Sequence, residues 1–161
     1  VGKRPYGYVG LGDVSVLLFF GLVGVGGSYY LFTQTINWMV LLPALSCGLF
    51  SIGVLNINNI RDIESDQKAG KYSIPVRIGK QNAAIYHVAI SMVGLLSAVV
   101  FVVLNYVAAW QLLFLLTSPF LYSINIAVLN KPSDQLDPYL KKMAISTLLF
   151  VLLFGIGLLV S

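Results

Sequence analysis

The sequence predicts an all-α, polytopic transmembrane helix bundle, and three observations carry that prediction. The 161 residues are 58% hydrophobic and only 10% charged, where a soluble domain carries roughly one-quarter charged residues. Five apolar stretches, at about 14–32, 38–55, 83–104, 108–129 and 143–160, come close to the ~20 residues a bilayer-crossing helix needs. The charges fall outside all five: the ten Lys and Arg and the six Asp and Glu lie before the first stretch, between the second and third, or between the fourth and fifth.

The first stretch is too long for the apolar core of a secretory signal and has no small-residue cleavage pattern after it, so it stays in the mature protein. Gly21, Gly24, Gly26, Gly27 and Ser28 line it with small residues that let another helix approach closely. Asp13 at its edge reads as a solvated end residue or a helix N-terminal acid. The second stretch contains the single cysteine, Cys47, which has no partner for a disulfide and reads as a small buried apolar residue. Pro43 and Pro119 interrupt the second and fourth stretches, where neighbours must satisfy the freed carbonyls. In the third, His87 reads as a helical histidine satisfied by a nearby carbonyl. Between the fourth and fifth, Lys131, Pro132, Asp134, Asp137, Pro138, Lys141 and Lys142 form a solvated connector.

The remaining connections, 33–37 and 105–107, carry no charge, so the positive-inside bias puts the charged loops in the cytoplasm of a cell's inner membrane. Trp38, Tyr106 and Trp110 cluster at the uncharged ends as interfacial anchors. The net charge of +4 does not form an aromatic-interleaved basic patch, which argues against nucleic acid as a partner. The spans contain no paired ionisable residues at midplane depth and no matched broken helices, which counts against a transporter. The chain reads as one transmembrane region, 1–161, and its start at Val1 with an odd number of spans suggests part of a larger bundle.

The segment after the second stretch, NINNIRDIESDQKAGKYSIPVRIGKQN from Asn56 to Asn82, holds half the basic and half the acidic residues. If the helix continues unbroken from Val54 to Lys68, Asn59, Asp62 and Asp66 share a face at i, i+3 and i+7. Two carboxylates at i, i+4 repel unless a cation sits between them, and Mg²⁺ suits a site of one or two carboxylates completed by phosphate oxygens. Arg61, Lys68, Lys71 and Arg77 surround that face, with Gly70 and Gly79 allowing tight turns. Spacing alone equally allows a solvated loop whose charges pair with one another.

The string NNIRDIESDQKAGKYSIPVRIG resembles the second aspartate-rich motif of the UbiA superfamily of membrane prenyltransferases. Its form, N-N-x-R-D-x-x-x-D with K-x-G-K and a later R-x-G, is similar to the 1,4-dihydroxy-2-naphthoate polyprenyltransferases of menaquinone biosynthesis. The lead KRPYGYVGLGDVSVLLFFG is similar to the segment before that motif in the same enzymes. The resemblance implies a nine-helix fold of which these are the last five helices, with the first aspartate-rich motif and much of the acceptor pocket on missing N-terminal helices. This chain alone is then expected to be inactive. It also implies that Asp62 and Asp66 are catalytic and hold Mg²⁺, while Asn59, Arg61, Lys68, Lys71 and Arg77 bind the substrate diphosphate. Tyr6 and Tyr8 then become contacts to the aromatic acceptor or interfacial anchors. The implied partners are polyprenyl diphosphate, 1,4-dihydroxy-2-naphthoate and the lipid bilayer, and the implied product is demethylmenaquinone. Hydroxybenzoate, homogentisate or haem remain alternative acceptors, and a non-enzymatic membrane subunit the alternative class.

Overall fold

The computed structural model describes residues 6–161, and five of its helices are long and apolar enough to cross a membrane. These are α1 (Gly12–Thr33), α2 (Trp38–Arg61), α4 (Ile74–Leu104), α5 (Ala109–Asn130) and α6 (Asp137–Leu159); a short amphipathic α3 (Ile63–Lys68) follows α2. Lys3, Arg4 and the side chain of Tyr6 lie outside the described residues. The helices outrun the apolar stretches at the charged end, since polar turns that could not sit in hydrocarbon keep their backbone bonds by staying helical.

α2 is the hub, packed against α1, α4 and α6. Its crossing with α1 depends on two glycines. A side chain at Gly21 would meet the Ala44 carbonyl oxygen at 2.7 Å, and one at Gly48 would meet Leu17 Cδ1 at 2.6 Å. Of the small residues in the first stretch, Gly21 makes this close approach; Gly24 is exposed, and side chains at Gly26 and Gly27 would meet no other helix, so the expected face narrows to one contact on an α1 wound as a π-helix from Leu17–Gly27. On the far side, Phe50, Phe114, Phe150 and Phe154 join α2, α5 and α6 in one buried aromatic cluster. The Phe50–Phe150 and Phe114–Phe150 centroids lie 4.6 and 5.5 Å apart, edge to face, the arrangement that ring quadrupoles favour.

The prolines act at helix starts. Pro119 opens the α-helical part of α5, Ser118–Asn130, behind a 3₁₀ segment Ala109–Thr117, and Pro43 stands in the first turn after the 3₁₀ turn Trp38–Val40. Each therefore sits where a missing N–H costs little. Gly79 kinks α4 with φ 77° and ψ 162°, and Gly70 ends α3 with φ 70°. Both positions require the left-handed freedom of glycine. Trp38, Tyr106 and Trp110 are all exposed at the uncharged ends.

Candidate functional site

The chain is not one continuous helix from Val54 to Lys68, as the spacing suggested. α2 ends at Arg61, Asp62 has φ −96° and ψ 10°, and α3 begins at Ile63. The break is shallow, because Asp66 N–H still donates to the Asp62 carbonyl at 2.8 Å. The two carboxylates keep their i, i+4 relation but acquire different partners.

Arg61 grips Asp62 in a fork, with Nε to Oδ1 at 2.8 Å and Nη2 to Oδ2 at 3.0 Å. Its Nη2 also donates to Asn58 Oδ1 at 2.9 Å, and its Nη1 reaches Asp137 Oδ1 at 2.5 Å. The guanidinium hydrogen bonds hold the Asp62 carboxyl below the usual carboxylate range. Asp66 instead meets Lys71, whose Nζ lies 2.7 Å from Oδ2. That contact is a pairing of charges rather than an aligned hydrogen bond. Lys71 Nζ also donates to Asn59 Oδ1 at 3.0 Å, and its N–H closes the loop onto the Asp66 carbonyl at 2.8 Å.

Asn59, Arg61, Asp62, Asp66 and Lys71 are therefore gathered at the charged end of α2. Lys68 faces a separate open cleft of about 670 Å³ with Arg61, Glu64, Lys80 and Asp134. Arg77 turns the other way: its Nη2 donates to the Val9 carbonyl at 2.7 Å and its Nε to the Tyr72 carbonyl at 3.0 Å. With Tyr72 N–H on the Tyr8 carbonyl at 2.9 Å, Arg77 stitches the lead to the motif loop. Gly10, with φ 81°, lies beneath it, and a side chain there would meet the Tyr72 carbonyl oxygen at 2.9 Å.

Three residues and the connector differ from their sequence reading. Asp13 is the helix N-terminal acid, in the first turn of α1, but not solvated; it is buried and accepts a hydrogen bond from the Tyr86 hydroxyl at 2.8 Å. His87 is fully buried against Gly53, and neither ring nitrogen finds a partner among the described residues. Cys47 is only half-buried and lines an apolar groove. The connector is tied down at Asp137 by Arg61, and at Lys131, whose carbonyl accepts from Lys80 Nζ at 2.7 Å. Asp137 and Tyr86 were missed as partners because each lies more than 70 residues from its mate. No local spacing signals such pairs.

That groove, about 680 Å³, runs between α1, α2 and α6 and opens beside Asn58, at the foot of the charged cluster. Val16, Phe20, Val54, Leu55, Leu148 and Val151 form much of its wall. A second apolar hollow of about 350 Å³ shares Cys47 and Val151 and continues along α2 to Val40. From Asn58 to Val40 the helix rises about 27 Å, so the apolar track extends for nearly the hydrocarbon thickness of a bilayer.

The model of the UbiA prenyltransferase family matches residues 4–148. The whole chain is 46% identical to the 1,4-dihydroxy-2-naphthoate octaprenyltransferase of Haemophilus influenzae and 43% identical to that of Escherichia coli, covering 53% of each protein. Over 70% of its length it is 31% identical to the 2-carboxy-1,4-naphthoquinone phytyltransferase of Synechocystis, covering 36% of that protein. The chain thus spans about half the length of these two octaprenyltransferases. No solved structure matches it significantly.

Proposed function

The chain belongs to the UbiA prenyltransferase family, a multi-pass membrane protein, and from that premise we propose that the full-length protein transfers a polyprenyl chain from polyprenyl diphosphate to 1,4-dihydroxy-2-naphthoate. The observation that carries this reading is the joining of a carboxylate–cation cluster to the mouth of an apolar groove. A prenyl diphosphate has that dual character, with a polyanionic head and a long hydrocarbon tail.

The donor set suits a divalent cation. This end of the chain offers two carboxylates four residues apart, Asp62 and Asp66, and no cluster of three or more metal-ligating side chains occurs among the described residues. Mg²⁺ accepts that arrangement, since it takes one or two carboxylates and fills its shell with water and phosphate oxygens. Held there, it would supply Lewis-acid stabilisation of charge on the departing diphosphate.

The rest falls to the chain's own side chains. Arg61 presents a planar fork and Lys71 a point charge, so both can exchange a carboxylate partner for diphosphate oxygens. Lys68 stands at the open cleft as a further cation, while Arg77 holds the lead against the loop. The groove along α2 shelters the tail and excludes water from the allylic carbon. In the reaction the allylic C–O bond breaks with its electrons leaving on diphosphate. A C–C bond then forms at the ring carbon bearing the carboxylate, and loss of that carboxylate as carbon dioxide returns its bonding electrons to the ring. The ring leaves at the hydroquinone level, as the quinol form of demethylmenaquinone, because the electrons of the broken carboxylate bond stay in the ring and no oxidant takes part. The charged ends of the helices face the cytoplasm of the inner membrane, by the positive-inside bias.

The test is prenyl transfer to 1,4-dihydroxy-2-naphthoate in membranes holding the full-length protein, wild type against Asp62→Asn and Asp66→Asn, across a range of Mg²⁺. Wild-type turnover that requires Mg²⁺ and falls about a hundredfold or more in each variant is the expected result. Prenylation of a different ring keeps the family chemistry and replaces the acceptor. Variants that match wild type would remove the two aspartates from the site.

A further inference from the structure

A small recess, about 50 Å³, lies behind the charged cluster, where Gly7, Gly10 and Gly12 of the lead approach Leu55 and Asn59 of α2. Asp13, Lys71, Ser73 and Ile74 complete its wall. Asn59, Asp13 and Ser73 are each more than nine-tenths buried, and the Ser73 hydroxyl finds no hydrogen-bond partner among the described residues. Buried hydroxyls are rarely left so, because the lost hydration goes unreplaced. Tyr86 takes only one acceptor position on Asp13, and a carboxylate offers about four.

The recess selects its occupant by charge. A phosphate or carboxylate oxygen would be repelled by Asp13, and a cation would be repelled by Lys71. A neutral hydroxyl satisfies both walls, donating to Asp13 and accepting from Ser73 or Lys71. The recess is roomy enough for a small polar group, since about 10–15 Å³ of such space already holds a water. Leu55 lines both the recess and the apolar groove, so a group seated in the groove can present a hydroxyl to the recess.

Resting on the functional reading above, we propose that this recess binds a ring hydroxyl of the aromatic acceptor, with Asp13 as its hydrogen-bond acceptor, Ser73 as a donor, and Tyr86 as the positioning residue for Asp13. Asn59 and Lys71 belong both to this recess and to the diphosphate cluster. The recess therefore anchors the acceptor beside the allylic carbon, the proximity on which a bimolecular transfer depends. It also makes the acceptor's hydroxyl a specificity element, because a site built to hydrogen-bond a hydroxyl discriminates strongly against an analogue without one.

The experiment measures acceptor binding to the full-length protein in nanodiscs, using 1,4-dihydroxy-2-naphthoate and the two analogues that lack one ring hydroxyl. Wild type is expected to bind one analogue at least tenfold more weakly than the dihydroxy compound. Asp13→Asn should weaken the dihydroxy compound to that level, weaken that analogue no further, and leave prenyl diphosphate affinity within about twofold. Tyr86→Phe should give the same pattern at reduced size. Equal weakening of all three ring compounds by Asp13→Asn, or none, overturns the proposal. Should Asp13→Asn fail to fold, Ser73→Ala takes its place: selective weakening of the dihydroxy compound supports the recess, and unchanged binding rejects it. Wild-type protein that neither binds nor prenylates a hydroxynaphthoate overturns the functional reading itself, a result distinct from a wild type that turns over without hydroxyl selectivity.

Discussion

Asp62 and Asp66 are one helical turn apart, yet they are held in different ways. Asp62, its side chain 29% exposed, sits in an arginine fork that also reaches out to Asp137, whose side chain is 71% exposed. Asp66 is 13% exposed and meets a lysine that is bonded in turn to a buried asparagine. The first carboxylate is fixed by hydrogen-bond geometry within reach of solvent, and the second by its deeper burial. Solvent screens the first arrangement and holds its net worth to a fraction of the vacuum interaction. In the second, removing one partner strands the other. The Asp66 half is the rigid frame of the site, and the Asp62 half is where partners can be exchanged.

Lys71→Met gives the largest effect this contrast predicts. It leaves Asp66 without its counter-charge and Asn59 without its donor, at a cost of about 3 kcal/mol. Arg61→Met, at the exposed half, should cost under about 1.5 kcal/mol. Unfolding of both variants in detergent micelles checks the order; equal losses would mean that burial does not distinguish the two halves.

A smaller effect separates the halves by pH. The folded pKa of Asp62 is depressed by Arg61, so its stabilisation is complete above the unfolded value of about 3.9. It is lost as pH falls through the lower folded value. Asp62→Asn should therefore be less stable than wild type at neutral pH, and the gap should close below about pH 4. A gap that stays constant through that range would show that the fork contributes no charge-dependent stability.

The residues that composition and local spacing could reach were legible from the sequence. Five apolar stretches with every charge at one end gave the helices, and of the small residues in the first stretch Gly21 packs against α2, on Gly48, a partner that spacing did not single out. The placement of Asn59, Asp62 and Asp66 along one helical run was also legible, apart from the break at Asp62. What spacing could not supply was the choice among cations. Lys71 and Arg77 read alike as basic residues flanking an acidic face, but the loop folds back at Gly70 to bring Lys71 onto Asp66, while Gly79 and the lead draw Arg77 away to Val9. Asp13 was placed at the helix start, where it lies, but its burial was missed for a related reason. Its burial depends on Tyr86, a residue on another helix that hydropathy treats as one more aromatic in a span. Long-range polar pairs leave no periodic trace, so the sequence located the charged cluster but not the recess behind it.

The smallest predicted effect concerns Asp137. Its contact with Arg61 joins the connector between α5 and α6 to the motif, but the aspartate is largely in water, and Arg61 keeps its fork on Asp62 without it. Asp137→Asn should cost no more than about 1 kcal/mol, and that cost should shrink as salt rises toward 1 M, where the screening length falls to about 3 Å. Unfolding at low and high salt measures both quantities. A loss as large as that of Lys71→Met, unaffected by salt, would make the connector a structural part of the site and erase the distinction between the exposed and buried halves.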